Sequence, residues 1–401
     1  MKILLAFKSI RALKLELAQV VQTSASSLSA LWTFPSVLVS ALLIAWAAES
    51  AQFLISQGLA LAILAWVQTL PEFAVEAVIA WEAGKDASKI HLMTANFTGA
   101  LRLLIGLGWP MIYATAAYFY RQKHGQPLRV IHLDEEHCVE VLALGPPVFY
   151  FVVIWYKASL NLIDALVLLI LYCAYLAILK LIPPKDEEKI EEMEAIPRWI
   201  LRQRPTWRNT IITSLFLGGA AILYFVAHPF LESMLALAVS MGVSSFIFVQ
   251  WVAPFLSEFP EKISAFYWAK KIDAAPMALM NMVSSNINQW TMLVAMLPIV
   301  YSMSQGRVST IVFDHHQENE ILLTITQSLL SMLLLANMKF VWYEATALFL
   351  LWFTQFLFPQ THVQMSLIYL VWSCWILVSA FFKTDALKAF QLFPSLLRRH
   401  W

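Results

Sequence analysis

Residues 66–81 read WVQTLPEFAVEAVIAW, and residues 253–268 read APFLSEFPEKISAFYW. Each belongs to a long apolar run interrupted by a proline followed directly by a glutamate. Each is followed by a segment rich in Asn, Ser and Thr: TANFTGALRLLIGLGWP at 94–110 and MNMVSSNINQWTMLVAMLP at 280–298. Glu72 precedes Asn96 by 24 residues, and Glu261 precedes Asn286 by 25. A further acid stands upstream of each pair, Glu49 in WAAESAQFL and Glu232 in HPFLESMLAL. The same elements in the same order make an internal repeat. Proline-interrupted apolar segments at matching places in two halves are the pattern of transporters built from repeats.

The rest of the chain fits a bilayer. Of 401 residues, 60% are hydrophobic and only 13% charged, and mean hydropathy is +0.67. A soluble domain carries about 25% charged residues. Hydropathy predicts spans near 31–57, 59–81, 90–119, 138–156 and 160–182, then 210–238, 243–268, 276–303, 320–337, 340–358 and 364–382. A charged stretch, KDEEKIEEMEAIPRWILRQRPTWR, divides the two groups. Five helices per half place the second copy in the membrane upside down. The expected fold is an all-α integral membrane protein of two inverted five-helix repeats, a ten-helix core, plus one extra C-terminal transmembrane helix. Its expected units are an amphipathic N-terminal segment (1–28), a first repeat (29–182), a short charged cytoplasmic loop (183–209), a second repeat (210–358), and the extra helix with a basic tail (359–401).

Basic residues crowd the loops of one face: Arg121, Lys123 and Arg129; Lys185, Lys189, Arg198, Arg202, Arg204 and Arg208; and Lys270, Lys271 and Lys339. That face is expected to be cytoplasmic. The basic N-terminal segment falls on the other face, with lipid headgroups as its expected partner. It is not a convincing signal peptide, because Lys8, Arg11 and Lys14 interrupt its apolar part. A net charge of +1 implies no nucleic-acid partner, and three cysteines, Cys138, Cys173 and Cys374, suggest neither a disulfide framework nor a metal knuckle.

A carboxylate inside a spanning helix is costly and marks an ion path or polar cavity by default. Here two of them, Glu72 and Glu261, hold equivalent positions. The proline before each frees a carbonyl near Gln68 and near Ser257 from helical bonding. Carboxylate and freed carbonyl together suit a hard cation. The helices that follow add Thr94, Asn96 and Thr98 in the first copy and Asn281, Ser284, Ser285, Asn286, Asn288 and Gln289 in the second. Glu258 stands one turn before Glu261 and is expected to share its face and to link cation binding to protons; the alternative is that it faces a basic partner and stays ionised. Glu76 and Arg102 are expected to neutralise each other. Glu49 and Glu232 read as structural or access-route acids. FDHHQENE, 313–320, reads as a solvated outer loop carrying Glu320, and the acidic run Asp186–Glu194 as a solvated helix.

Leu70-Pro71-Glu72 and Phe259-Pro260-Glu261, each followed by an Ala-Asn or Ser-Asn helix, resemble the two alpha-repeats of the cation/calcium exchanger superfamily. The typical repeat there is Gly-Thr-Ser-Leu-Pro-Glu, then Gly-Ser-Asn. The resemblance covers 35–182 and 210–358 and, with so short a central loop, is to its minimal members. It implies cation binding by both glutamates and countertransport by alternating access. The implied ligand set is Glu72, Glu261, Gln68, Thr69, Ser257, Glu258, Asn96, Ser285, Asn286 and Gln289. The chain departs from the pattern at Gln68-Thr69 and Ser257-Glu258, and at Thr94-Ala95-Asn96 and Ser284-Ser285-Asn286. Gly99 and Gln289 stand where the family has an acid or amide. Ala95 and Gly99 thus remove ligand atoms that serve sodium in the family.

The expected function is a secondary active antiporter of the cell membrane, exchanging a divalent cation such as calcium for sodium or protons. The alternative is a cation channel or a non-transporting, ion-regulated membrane protein. No cofactor beyond the transported cations, and no enzyme chemistry, is expected: the helices hold no His-x-x-Glu-His pair and no nucleophile motif. Expected partners are membrane lipid and inorganic cations.

Overall fold

The computed structural model describes residues 27–51, 69–181, 193–382 and 386–400. The expected N-terminal amphipathic segment, Gln68 and most of the acidic run 186–194 lie outside these residues. Helix α1, Ala30–Ala51, is followed by α2, Leu70–Lys85, α3, Ile90–Leu103, and α4, Trp109–His124. Strand β1, Val130–His132, precedes α5, Cys138–Ala143, and α6, Gly145–Tyr156. Strand β2, Ser159–Leu160, and α7, Leu162–Leu181, complete this half.

After a short helix α8, Ala195–Leu201, the order repeats. A 36-residue helix α9, Pro205–Ser240, corresponds to α1. Helices α10, Ser245–Ser257, and α11, Phe259–Lys270, are separated only by Glu258. Then come α12, Ala275–Asn288, α13, Val294–Gln305, β3, Ile311–Val312, α14, His315–Leu335, β4, Lys339–Val341, and α15, Trp342–Leu357. Helix α16, His362–Ala380, and α17, Lys388–His400, end the chain.

Six helical stretches among the described residues are long and apolar enough to cross a membrane unaided. The protein is an all-α, multi-pass membrane protein. Proline sets where several elements break. Pro71 and Pro260 each fall in the first turn of a helix, where a missing N–H costs nothing. Pro260 thus divides the expected span 243–268 into α10 and α11. Both Asn-rich segments contain a five-residue π turn, Leu104–Gly108 and Gln289–Leu293. Such a turn re-aims side chains and is often found at functional sites.

The two halves grip each other reciprocally. Strand β1 pairs antiparallel with β4, Ile131 opposite Phe340, and β2 pairs with β3, Leu160 opposite Ile311. Left-handed backbone recurs in matched pairs, Gly125 (φ 70°) with Gly306 (φ 67°) and Ala158 (φ 48°) with Met338 (φ 60°). Helix α2 packs on α13, as α11 packs on α4. Helices α1 and α9 pack along each other at a small-residue seam. There Ser40 donates to the Gly219 carbonyl at 2.7 Å, and a Cβ at Gly219 would meet the Ser40 carbonyl oxygen at 3.0 Å. Helix α3 is buried on every side from Leu92 to Leu103.

Candidate cation site

The helix breaks point two carboxylates into the interior. Glu72, in the first turn of α2, and Glu261, in the first turn of α11, are 1% and 0% exposed. Glu72 lies within electrostatic reach of Glu258, Glu261 and Glu76. Gln289, the first residue of its π turn, connects the halves. Its Nε2 donates to Glu72 Oε2 at 2.8 Å and to Glu258 Oε1 at 2.9 Å. Asn288 Nδ2 donates to Thr69 Oγ1 at 2.5 Å, a second tie between the same segments.

Several buried oxygens here meet no hydrogen-bond donor among the described residues. They are both carboxylate oxygens of Glu261, Glu72 Oε1, and the amide oxygens of Asn96, Asn286, Asn288 and Gln289. Ser285 stands beside Glu261. A buried polar group without a partner is expensive, and oxygens from carboxylates and amides are the donor set of a hard cation. Among the described residues no three His, Cys, Asp or Glu side chains converge on one point. Two facing carboxylates with amide and hydroxyl oxygens are therefore the arrangement available to an ion.

The other expected ligands divide. Ser257 Oγ donates back to the Ala253 carbonyl within its own helix at 2.9 Å. The Asn286 amide nitrogen is turned to the Leu101 carbonyl at 3.2 Å. Gly99 is where helices touch: a Cβ there would stand 1.9 Å from the Gln250 carbonyl oxygen. A ligand-bearing side chain at Gly99 is excluded by the backbone of α10, so the donor set is unequal between halves.

Two expectations are corrected, and one open alternative is decided. Glu76 does not pair with Arg102; it accepts from Asn96 Nδ2, and its Oε1 meets no donor among the described residues. Arg102 reaches instead to Glu320 Oε2 at 2.5 Å. Glu320 is not on a loop. Asp314 caps α14 by accepting from the Gln317 amide at 2.8 Å, so the helix starts at His315 and carries Glu320 into the interior, 0% exposed. A capping residue and a glutamine three positions on are a sequence signature of a helix start. Glu258 does face a base: Lys262 Nζ lies 2.6 Å from its Oε2. The four-residue spacing of that pair is a signal present in the sequence.

Upstream, Glu49 is buried and accepts from Ser264 Oγ at 2.7 Å, one turn beyond Glu261. Glu232, its counterpart, is 65% exposed, with His228 Nδ1 at 3.8 Å.

Residues 17–181 and 211–359 match the family described as "Sodium/calcium exchanger protein". Among curated proteins no sequence matches the chain. Among solved structures, the chain is similar to the H+/Ca2+ exchanger CAX, with 30% identity and a TM-score of 0.84 over 96% of this chain and 98% of that one. It shares the fold of YfkE at 14% identity, with a TM-score of 0.58 over 88% of this chain and 98% of that one. It also shares the fold of the sodium-calcium exchanger NCX_Mj, at 17% identity and a TM-score of 0.51 over 84% and 99%. The family match takes in both Pro-Glu segments and both Asn-rich helices, and the likeness to CAX runs nearly end to end. The chain belongs to the sodium/calcium exchanger protein family, a family of membrane cation transporters.

Proposed function

We propose that the protein is a secondary active antiporter that carries calcium against protons, by alternating access to one site between two inverted five-helix repeats. The observation that carries this reading is the pair of buried carboxylates, Glu72 and Glu261, presented across the interface of the halves among amide oxygens that lack donors. A divalent hard cation satisfies both charges and those oxygens at once. The repeats would occupy 29–182 and 210–358, with α16 added outside them. The reciprocal strand pairing and matched left-handed residues support that division.

Protons are preferred to sodium as the counter-ion for two reasons. Ala95 and Gly99 offer no ligand atom in the first half, and Gly99 has no room for one. A solved structure similar to nearly the whole chain, at 30% identity, is that of an H+/Ca2+ exchanger. The proposed ligands are Glu72 and Glu261, with amide oxygens of Asn96, Asn286, Asn288 and Gln289 and the Ser285 hydroxyl. Thr69, Ser257 and Glu258 shape the site by the contacts above. Purified protein in proteoliposomes tests the reading. Calcium uptake should follow an imposed proton gradient and be indifferent to a sodium gradient of equal size. Uptake driven by sodium alone overturns the proton assignment, and gradient-independent conductance overturns antiport.

A further inference from the structure

A second buried polar cluster lies beyond the site, around Glu320. Its Oε2 accepts from Arg102 Nη2 of α3 at 2.5 Å and from Gln250 Nε2 of α10 at 2.7 Å. Its Oε1 lies 2.5 Å from His362 Nδ1 of α16. Arg102 also donates from Nη1 to Gln355 Oε1 and from Nε to the Thr98 carbonyl, both at 3.1 Å. Gln327 of α14 donates to the Arg102 carbonyl at 3.2 Å and accepts from Gln355 of α15 at 3.0 Å. The Trp251 ring covers the guanidinium at 5.3 Å. One carboxylate thus gathers a helix from each half and the helix outside both.

The cluster and the cation site lie along the same two helices, α3 and α10. Gly99 touches the Gln250 backbone at the crossing of α3 and α10. Asn96 lies three residues before Gly99 and Arg102 three residues after it, each close to one turn away. The crossing therefore lies between the Asn96 amide on one side and the Arg102 guanidinium on the other. On α10, Gln250 itself holds Glu320, and the helix ends at Ser257 beside Glu258. The corresponding acid 180 residues earlier, Glu140, has no such cluster, and its Oε2 meets no donor among the described residues. Among the described residues, the first half is followed by no helix equivalent to α16.

We infer that Arg102, Glu320 and His362 are positioning residues for cation transport: through them α16 sets the angle at which α3 and α10 present the cation site. The inference rests on the proposed site. An arginine suits this task because its planar fork holds three acceptors in fixed directions, which a lysine cannot do.

The test measures KM and Vmax for calcium uptake by full-length protein in proteoliposomes, with folded yield followed by monodispersity in detergent. His362→Phe should raise KM about threefold to tenfold, the scale of a lost hydrogen bond, with Vmax per folded molecule retained. His362→Gln, which keeps a donor toward Glu320, should restore much of the parent KM. Arg102→Lys should raise KM further. If His362→Phe or Arg102→Lys lowers only the folded yield or Vmax, leaving KM as in the parent, the cluster is structural and the inference is overturned. Should one of the two variants be too unstable to assay, the KM of the other decides, because His362 lies at a helix end and Arg102 in the interior of the bundle. Parent protein that takes up no calcium overturns the site reading itself, and the positioning role with it.

Discussion

The two corners that meet at the site are built alike and charged differently. The first presents Glu72 and Glu76, which accept hydrogen bonds from the amides of Gln289 and Asn96. The second presents Glu258 and Glu261 with Lys262 beside Glu258. Two acids against two acids and one ammonium make the formal charges −2 and −1. The first corner's second acid lies one turn after its Pro-Glu, and the second corner's lies one turn before. A repeated scaffold has kept one carboxylate per half at the interface and placed the extra acids on opposite sides of it, compensating one with a base and the other not. Symmetry of fold therefore does not imply symmetry of the ionisable side chains that it presents.

The largest test removes the shared feature. Glu72→Gln and Glu261→Gln keep side-chain shape and delete a full charge from a low-dielectric site. Each should lower calcium uptake about 100-fold or more while leaving folded yield near the parent's. Parent-like uptake by either one ends the shared-site reading.

The next test concerns the compensated acid. Lys262→Met strands Glu258, and losing one partner of a buried pair typically costs about 3–5 kcal/mol. Melting in detergent should fall clearly, and the double change Glu258→Gln/Lys262→Met should recover most of the loss. If the double variant melts as low as Lys262→Met alone, Lys262 stabilises the fold by something other than this pair. Glu76 then asks whether an uncompensated acid contributes to cation binding. Glu76→Gln should raise KM for calcium about tenfold, equivalent to about 1.4 kcal/mol, with a smaller change in Vmax. An unchanged KM would reduce the first corner to Glu72 alone.

The two corners are also unequally legible in the sequence. The Pro-Glu pairs and the Asn-rich helices after them are local patterns, and the fold brings Glu72 within reach of Glu261 and of Gln289; Gln289 has only Gly99 as its counterpart and is not marked by the repetition. Lys262 carries a local signal too, its spacing from Glu258. Asp314 and Gln317 likewise mark a helix start that moves Glu320 from an expected loop to the interior. The Arg102–Glu320 pair carries no local signal. Its partners are 218 residues apart in sequence, and only the packing of α3 against α14 joins them. Assigning Arg102 to Glu76 pairs residues by nearness in sequence. Gly99 reads in sequence as a missing ligand. The structure gives the steric reason: α10 passes too close for any side chain.

The smallest expected effect tests the outer edge of the comparison. Glu49 and Glu232 occupy equivalent places in α1 and α9, yet one is enclosed and bonded to Ser264 while the other is mostly exposed beside His228. Any ion pair made by so exposed a carboxylate contributes roughly 0–1 kcal/mol because water and salt screen it. Glu232→Gln should therefore melt within about 0.5 kcal/mol of the parent, with calcium uptake within about twofold. Glu49→Gln keeps an oxygen for the Ser264 hydroxyl but removes a buried charge one turn from Glu261, so uptake should fall measurably more than in Glu232→Gln. Measuring both in the same proteoliposome assay makes the contrast internal. If Glu232→Gln loses as much uptake as Glu49→Gln, the two acids act equally during the transport cycle, and the asymmetry of burial describes one stage of that cycle, not a division of roles.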